Sequence, residues 1–179
     1  MNRIDTPPAA IHRGPTGFAP AAPAALPDDL REWFSQPELL RLALAAVSDV
    51  DPARFGARGD FGPEPRYSVP MLCTLLSYCY VTGRYASEDI EAALGRDPTL
   101  RYLCAGRYPA WPVLRRFRRV HRGLLTACLG RLIRRAWESR GRSVPEAAGG
   151  ADALPTRAVA LGEELLQRAV LADTMAADV

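Results

Sequence analysis

Apolar residues recur at steps of three and four along most of the chain, the spacing typical of amphipathic helices. Pro27 is expected to open a short helix, and a second helix is expected after Pro37. The segment 70–82 is apolar almost all round, which predicts the central helix of a bundle, with Ser68 as its N-cap and Gly83 at its end. The pattern predicts an all-α fold, a compact multi-helix bundle.

Segments rich in glycine, proline or charge divide these helices. The segment 56–66 predicts a loop. Ser87 and Asp97 each resemble the cap of a short helix, and Pro155 predicts the start of a last amphipathic helix over 156–177. The expected domain organisation is a disordered, Pro/Ala-rich lead-in, a helical domain, a linker and a C-terminal helix, over 1–25, 26–140, 141–154 and 155–179.

A second long helical pattern begins near Pro112 and continues to residue 139, with Gly123 as a candidate dividing point between a helix at 112–122 and a packing helix after it. Its apolar residues predict one packed face. Four arginines are expected on the opposite, exposed face, at positions 115, 118, 119 and 122.

Charge is distributed unevenly along the chain. The segment Arg101–Arg142 holds twelve arginines and one acid, Glu138, a net charge of +11, so the remainder carries −8 of the total +3. A concentrated positive field is typical of nucleic-acid binding, because neutralised phosphates release counterions. A solvated arginine surface is the alternative. The chain has no lysine, so the use of arginine in itself does not indicate nucleic-acid binding. The clustering of the arginines is what indicates it.

Arginine suits this function because its guanidinium group can pair bidentately with guanine or clamp a phosphate. Three other candidates have structural alternatives: Ser87 as a helix cap, Trp111 as a hydrophobic staple, and His121 as a packed side chain. The candidate DNA-binding residues are Ser87, Arg107, Trp111, Arg115, Arg116, Arg118, Arg119, His121 and Arg122.

Other chemistry receives little support from the sequence. The four cysteines form no CxxC pair and are predicted to be reduced core residues, and neither His12 nor His121 has zinc-ligand spacing to them. No catalytic, metal or cofactor site is predicted. No apolar stretch reaches the roughly 18 residues of a membrane span, and the N-terminus lacks a signal-peptide pattern, so no membrane association and a cytoplasmic location are expected.

A family resemblance rests on YSVPMLCTLLSYCYVTGRYASEDIEAALGRDPTLRYLCAGRYPAWPVLRRFRRVH. This order of an apolar helix, a Ser-x-x-x-Ile-Glu helix, an Arg-Tyr-Leu helix and a proline-led Arg-Phe-Arg-x-x-His segment resembles the N-terminal domain of bacterial insertion-sequence transposases of the DDE type. The resemblance covers about 26–140. It implies a helix-turn-helix-like domain that binds double-stranded DNA at transposon ends, with motif positions at Ser87, Arg115, Arg116, Phe117, Arg118 and His121.

The chain departs from that family in two ways. Ala110, Trp111 and Pro112 stand where the family usually has Asp-His-Ser/Thr, which removes an N-cap. The catalytic domain of that family, which carries three metal-binding acids, is expected to be absent, since only six residues follow Asp173. Asp173 is a weak candidate for the first of these acids, because one carboxylate cannot hold two catalytic metal ions. The expected function is therefore non-catalytic DNA binding. The alternatives are a protein-interaction or homo-oligomerisation module acting through 156–177, and a truncated transposase remnant without activity.

Overall fold

The computed structural model describes residues 26–56, 60–61, 67–140 and 153–177; the expected lead-in at 1–25 and most of the expected linker lie outside them. The described residues form an all-α compact bundle, as predicted. Its seven described α-helices are α1 Gln36–Ser48, α2 Val69–Val81, α3 Ser87–Leu94, α4 Pro98–Leu103, α5 Trp111–Val120, α6 Arg122–Ser139 and α7 Ala153–Ala177.

Short polar side chains begin several of these helices. Ser35 and Glu38 form a capping box at α1, the Ser68 hydroxyl accepts a hydrogen bond from Met71 N at α2, and Asp97 accepts one from Thr99 N at α4. The expectation that Ser87 caps α3 is wrong: Ala86 is the N-cap, and Ser87 is the first residue of the helix.

Three further boundaries differ from the sequence prediction. The helix expected after Pro27 is only a 3-10 turn at Leu30–Glu32. The expected loop 56–66 contributes β1 Asp60–Phe61, which pairs antiparallel with β2 Tyr67–Ser68. Phe61 packs edge-on against Phe117 with ring centroids 5.0 Å apart. Strand β1 therefore makes an apolar contact with α5. Helix α7 begins two residues before Pro155, because proline is tolerated in the first turn of a helix.

Helix α2 lies at the centre of the bundle, as its apolar composition predicts. All its residues except Pro70 and Met71 are buried, and α1, α4, α6 and α7 contact it. The four cysteines are buried and reduced, which confirms their predicted place in the core. Burial raises the pKa of the Cys104 thiol to about 11, so it stays protonated at neutral pH.

Helices α6 and α7 form the most extensive contact between two elements. Two glycines bring their backbones together: a Cβ atom added at Gly162 would lie 3.1 Å from Gly130 N, and one at Gly130 would lie 3.2 Å from Val159 Cα. Leu165, Leu166 and Ala169 of α7 are buried in the common core. Helix α7 is therefore an integral layer of the bundle.

The helical pattern that begins near Pro112 and continues to residue 139 divides into α5 and α6 near the predicted position. The interruption is at His121, whose backbone leaves the helical region with φ −109° and ψ 30°, while Gly123 lies inside α6. Among the described helices, none is long and apolar enough to cross a membrane.

Candidate nucleic-acid interface

Helix α5, the arginine-rich helix, begins without a polar side chain of its own at the N-cap. Ala110 occupies that position, and Trp111 N donates a hydrogen bond of 3.1 Å to Glu91 Oε2 of α3. A carboxylate at the positive end of a helix is favourable. The cap that the sequence lacks locally is thus supplied by a neighbouring helix.

The arginines of α5 do not share one face. Arg116 and Arg119 are exposed, Arg115 is half-buried, and Arg118 is only 3% exposed. The expectation that Arg118 lies on the exposed face is wrong. It lies four residues after the buried Leu114, which places it on the packed side of the helix.

The guanidinium group of Arg118 is surrounded by hydrogen-bond acceptors. Nη1 donates to Asp173 Oδ2 and to Ala169 O, both at 2.6 Å. Nε donates to Tyr80 Oη at 2.6 Å, and Nη2 donates to Tyr85 O at 3.1 Å. Burial raises the pKa of the Tyr80 phenol, so it stays protonated. Arg118 therefore joins α5 to α2 and α7.

Ser87 completes the same buried cluster. Its side chain is fully buried; Ser87 N donates to Asp173 Oδ1 at 2.8 Å, and its hydroxyl donates to Oδ2 at 3.0 Å. The hydroxyl also accepts a hydrogen bond from Arg118 Nη2 at 3.2 Å. In this conformation Ser87 and Arg118 are turned inward, where DNA cannot reach them.

Helix α7 also contacts the outer arginines. Arg115 Nη2 donates to Asp173 O at 2.8 Å, and Arg122 Nη2 donates to Glu163 Oε1 at 3.0 Å. Arg119 makes no hydrogen bond or ion pair with any described residue. Between α5 and α7 lies a cleft of about 480 Å³, which we call the α5–α7 cleft.

The aromatic candidates are packed more closely than the arginines. The ring of His121 lies 4.6 Å from that of Phe117 and 5.3 Å from that of Phe61. Burial lowers the pKa of His121, so it is mostly neutral at pH 7. Trp111 is half-buried, with the Arg115 guanidinium 4.7 Å from its ring centroid. Both contacts favour the packing alternatives that the sequence left open.

Acids from other parts of the chain form ion pairs with arginines of the basic segment Arg101–Arg142. Arg135 Nε donates to Asp49 at 2.9 Å, and Arg122 and Arg118 pair with acids of α7. The charge asymmetry seen in the sequence is thus partly cancelled by the fold. Arg107 is exposed in the connection between α4 and α5, outside the α5–α7 cleft.

Sequence reasoning missed two residues that organise this site. The sequence indicates Asp173 only as a weak catalytic candidate, and Glu91 only as the acid of the family's Ile-Glu helix, not as the residue that caps α5. Asp173 could have been found, because it is a lone carboxylate on the apolar stripe of α7 that includes Leu166 and Ala169. Within the described residues, no three His, Cys, Asp or Glu side chains are grouped as a metal site.

Comparisons with known protein families, with curated proteins and with solved structures found no match to this chain.

Proposed function

We propose that this chain is a non-catalytic DNA-binding protein that contacts the phosphates of double-stranded DNA through the outer edge of α5. The observation that carries the proposal is the exposure of Arg116 and Arg119 on a helix that contains no acid. They lie three residues apart, which places them on one side of the helix. Arg122, whose ion pair with Glu163 is exposed, extends this edge into the first turn of α6.

The resemblance to insertion-sequence transposases supports the same function. It implies a helix-turn-helix-like unit with α5 as the recognition helix and transposon ends as the target, and a cytoplasmic, bacterial setting goes with it. Of the motif residues, Ser87 and Arg118 are positioning residues in this proposal, since they hold α3, α5 and α7 together. Arg116 and Arg119 are the motif-region residues that can reach a phosphate.

The number of available arginines limits the expected affinity. Binding to duplex DNA weakens with salt by a logarithmic slope of about 0.9 for each phosphate neutralised. An edge of three arginines therefore predicts a slope of roughly 3, well below that of a protein making many phosphate contacts. We expect weak binding by one copy of the chain.

The test is titration of fluorescently labelled duplex DNA with the full chain at several salt concentrations. The double variant R116Q/R119Q should weaken binding and lower the salt slope by about 2, one for each lost phosphate contact. The matched control is R41Q/R96Q, which removes the same charge from exposed arginines of α1 and of the α3–α4 connection.

Two results would reject the proposal. One is the absence of salt-sensitive binding by the folded wild-type chain. The other is an equal loss of binding in R116Q/R119Q and R41Q/R96Q, which would indicate a general effect of net charge rather than contact by α5.

A second candidate function is homo-oligomerisation through the C-terminal end of α7. Leu171 and Met175 are 62% and 72% exposed, and Val170 beside them is also exposed. Adjacent exposed apolar residues on one helix can form an association surface. Sedimentation of the wild-type chain over a range of concentrations distinguishes a monomer from a self-associating protein.

A further inference from the structure

The α5–α7 cleft combines charge with an apolar wall. One side is formed by Arg115, Arg118, Arg119 and Arg122, and the side from α7 is formed by Leu166, Val170, Asp173 and Thr174. Its volume of about 480 Å³ lies in the range of small-molecule sites. Four guanidinium groups face one carboxylate, so the lining carries a net charge of +3.

Two of these guanidinium groups retain donors for a ligand. Arg119 has no described hydrogen-bond partner, and the ion pair of Arg122 with Glu163 is exposed on both sides and so contributes little. Arg115 Nε is inaccessible to solvent and makes no hydrogen bond; it lies 3.4 Å from Asp173 Oδ2. The guanidinium donors open to a ligand are therefore those of Arg119 and Arg122, beside the positive charge of Arg115.

The apolar wall determines what kind of anion fits. Leu166 is buried, but Val170 is 40% exposed beside the arginines. An inorganic ion would leave this surface uncovered, whereas an attached hydrocarbon or ring would cover it. We propose that the α5–α7 cleft binds a small organic anion, with a phosphate or carboxylate head held by Arg119 and Arg122 and an apolar body against Val170.

This ligand differs from the DNA of the proposed function. The cleft lies between two helices, whereas Arg116 is outside it on the exposed edge of α5. Arg119 and Arg122 belong to both surfaces, so a bound anion competes with DNA phosphates for them. The site itself does not depend on DNA binding, and either function can fail without the other.

The experiment is calorimetric titration of the full chain with phenyl phosphate, octanoate, inorganic phosphate and uncharged benzyl alcohol. We expect phenyl phosphate or octanoate to bind at least about tenfold more tightly than inorganic phosphate, since burying an apolar body adds affinity. Benzyl alcohol should not bind measurably. Phenyl phosphate and octanoate test a phosphate and a carboxylate head, each joined to an apolar body.

Two variants and one control locate the site. R119Q should weaken the better ligand about tenfold or more, as expected for a lost hydrogen bond to a charged group. V170S should weaken the same ligand but leave inorganic phosphate unchanged. R116Q is the control, because it removes an equal charge from α5 outside the cleft and should have little effect.

Three outcomes would overturn the proposal: no binding of either organic anion, inorganic phosphate binding as tightly as both, or equal effects of R116Q and R119Q. The three substituted positions, Arg116, Arg119 and Val170, are exposed, so the variants are expected to fold. A chain that binds phenyl phosphate but not DNA would retain this inference and reject the proposed function.

Discussion

Arg118 and Asp173 are two opposite charges that each lie on the apolar stripe of a helix. Arg118 follows Leu114 by four residues, and Asp173 follows Ala169 by four. Removing two charges from water costs several kcal/mol per ion, and the cost is offset only when the geometry is good and other hydrogen bonds complete the shell. The two hydrogen bonds from Ser87 to Asp173 and the one from Arg118 to Tyr80 satisfy that condition.

Replacing Asp173 by alanine should destabilise the protein strongly. Arg118 would remain buried without its carboxylate, and breaking a buried ion pair from one side typically costs about 3–5 kcal/mol. Ser87 would lose the acceptor of its backbone N–H and hydroxyl. Urea denaturation followed by circular dichroism measures the change in the free energy of unfolding.

The control for that substitution is Glu163→Ala on the same helix. Its ion pair with Arg122 is exposed, so its loss should cost no more than about 1 kcal/mol. If Asp173→Ala and Glu163→Ala had similar midpoints of denaturation, the Arg118–Asp173 pair would not hold α7 against α5.

Residue-scale spacing could have predicted part of this pair but not its geometry. The step of four from Leu114 to Arg118 already places the arginine on the packed face, and Asp173 shows the same signal in α7. Their meeting could not be read from sequence, because 55 positions separate them and the tertiary fold decides the partner. Ser87 was predicted as a helix cap for its hydroxyl, which the fold directs to Asp173 instead.

At the scale of elements, periodicity and caps were sufficient to locate most helices. Ser68 and Asp97 begin helices as expected, and α2 is central because it is apolar all round. The short pairing of Phe61 with Tyr67 was not predicted, since a two-residue strand leaves no periodic signal. The close approach of α6 and α7 also could not be predicted from local sequence. Gly123, Gly130 and Gly162 are all helical glycines, but only Gly130 and Gly162 face a neighbouring helix backbone.

Two of those glycines, Gly162 and Gly123, give a matched pair of substitutions. In Gly162→Ala the new Cβ would lie 3.0 Å from Leu129 Cβ and 3.1 Å from Gly130 N, so the helices must separate, at a typical cost of about 1–3 kcal/mol. In Gly123→Ala the Cβ meets no atom within 4 Å, and helix propensity should stabilise the protein by up to about 1 kcal/mol.

Thermal unfolding of the two variants measures these opposite effects. We expect the melting temperature to fall in Gly162→Ala and to rise in Gly123→Ala. A rise in both variants would contradict the close packing of α6 and α7, because propensity would then be the only effect present.

The whole molecule joins a basic segment to acids that are distant in sequence. Asp49, Glu163 and Asp173 all pair with arginines between Arg115 and Arg135. In the sequence, Arg101–Arg142 carries +11 and the remainder carries −8. In the folded molecule, acids of the remainder form ion pairs with arginines of that segment. The outer edge of α5 stays exposed with Arg116 and Arg119, but the exposed basic surface is smaller than the arginine count alone indicates.

Removing α7 should therefore prevent the rest of the chain from folding stably. A chain of residues 1–140 would expose the α6 surface that Leu165, Leu166 and Ala169 cover, and would leave Arg118 without Asp173. Both losses are large against a typical net stability of about 5–15 kcal/mol. Circular dichroism should show no cooperative thermal transition for residues 1–140 alone. Addition of a peptide spanning 153–177 should restore one. A cooperative transition at the full-length melting temperature without the peptide would show that the helical domain 26–140 folds without α7, and Arg115 and Arg118 would then lack their contacts with Asp173.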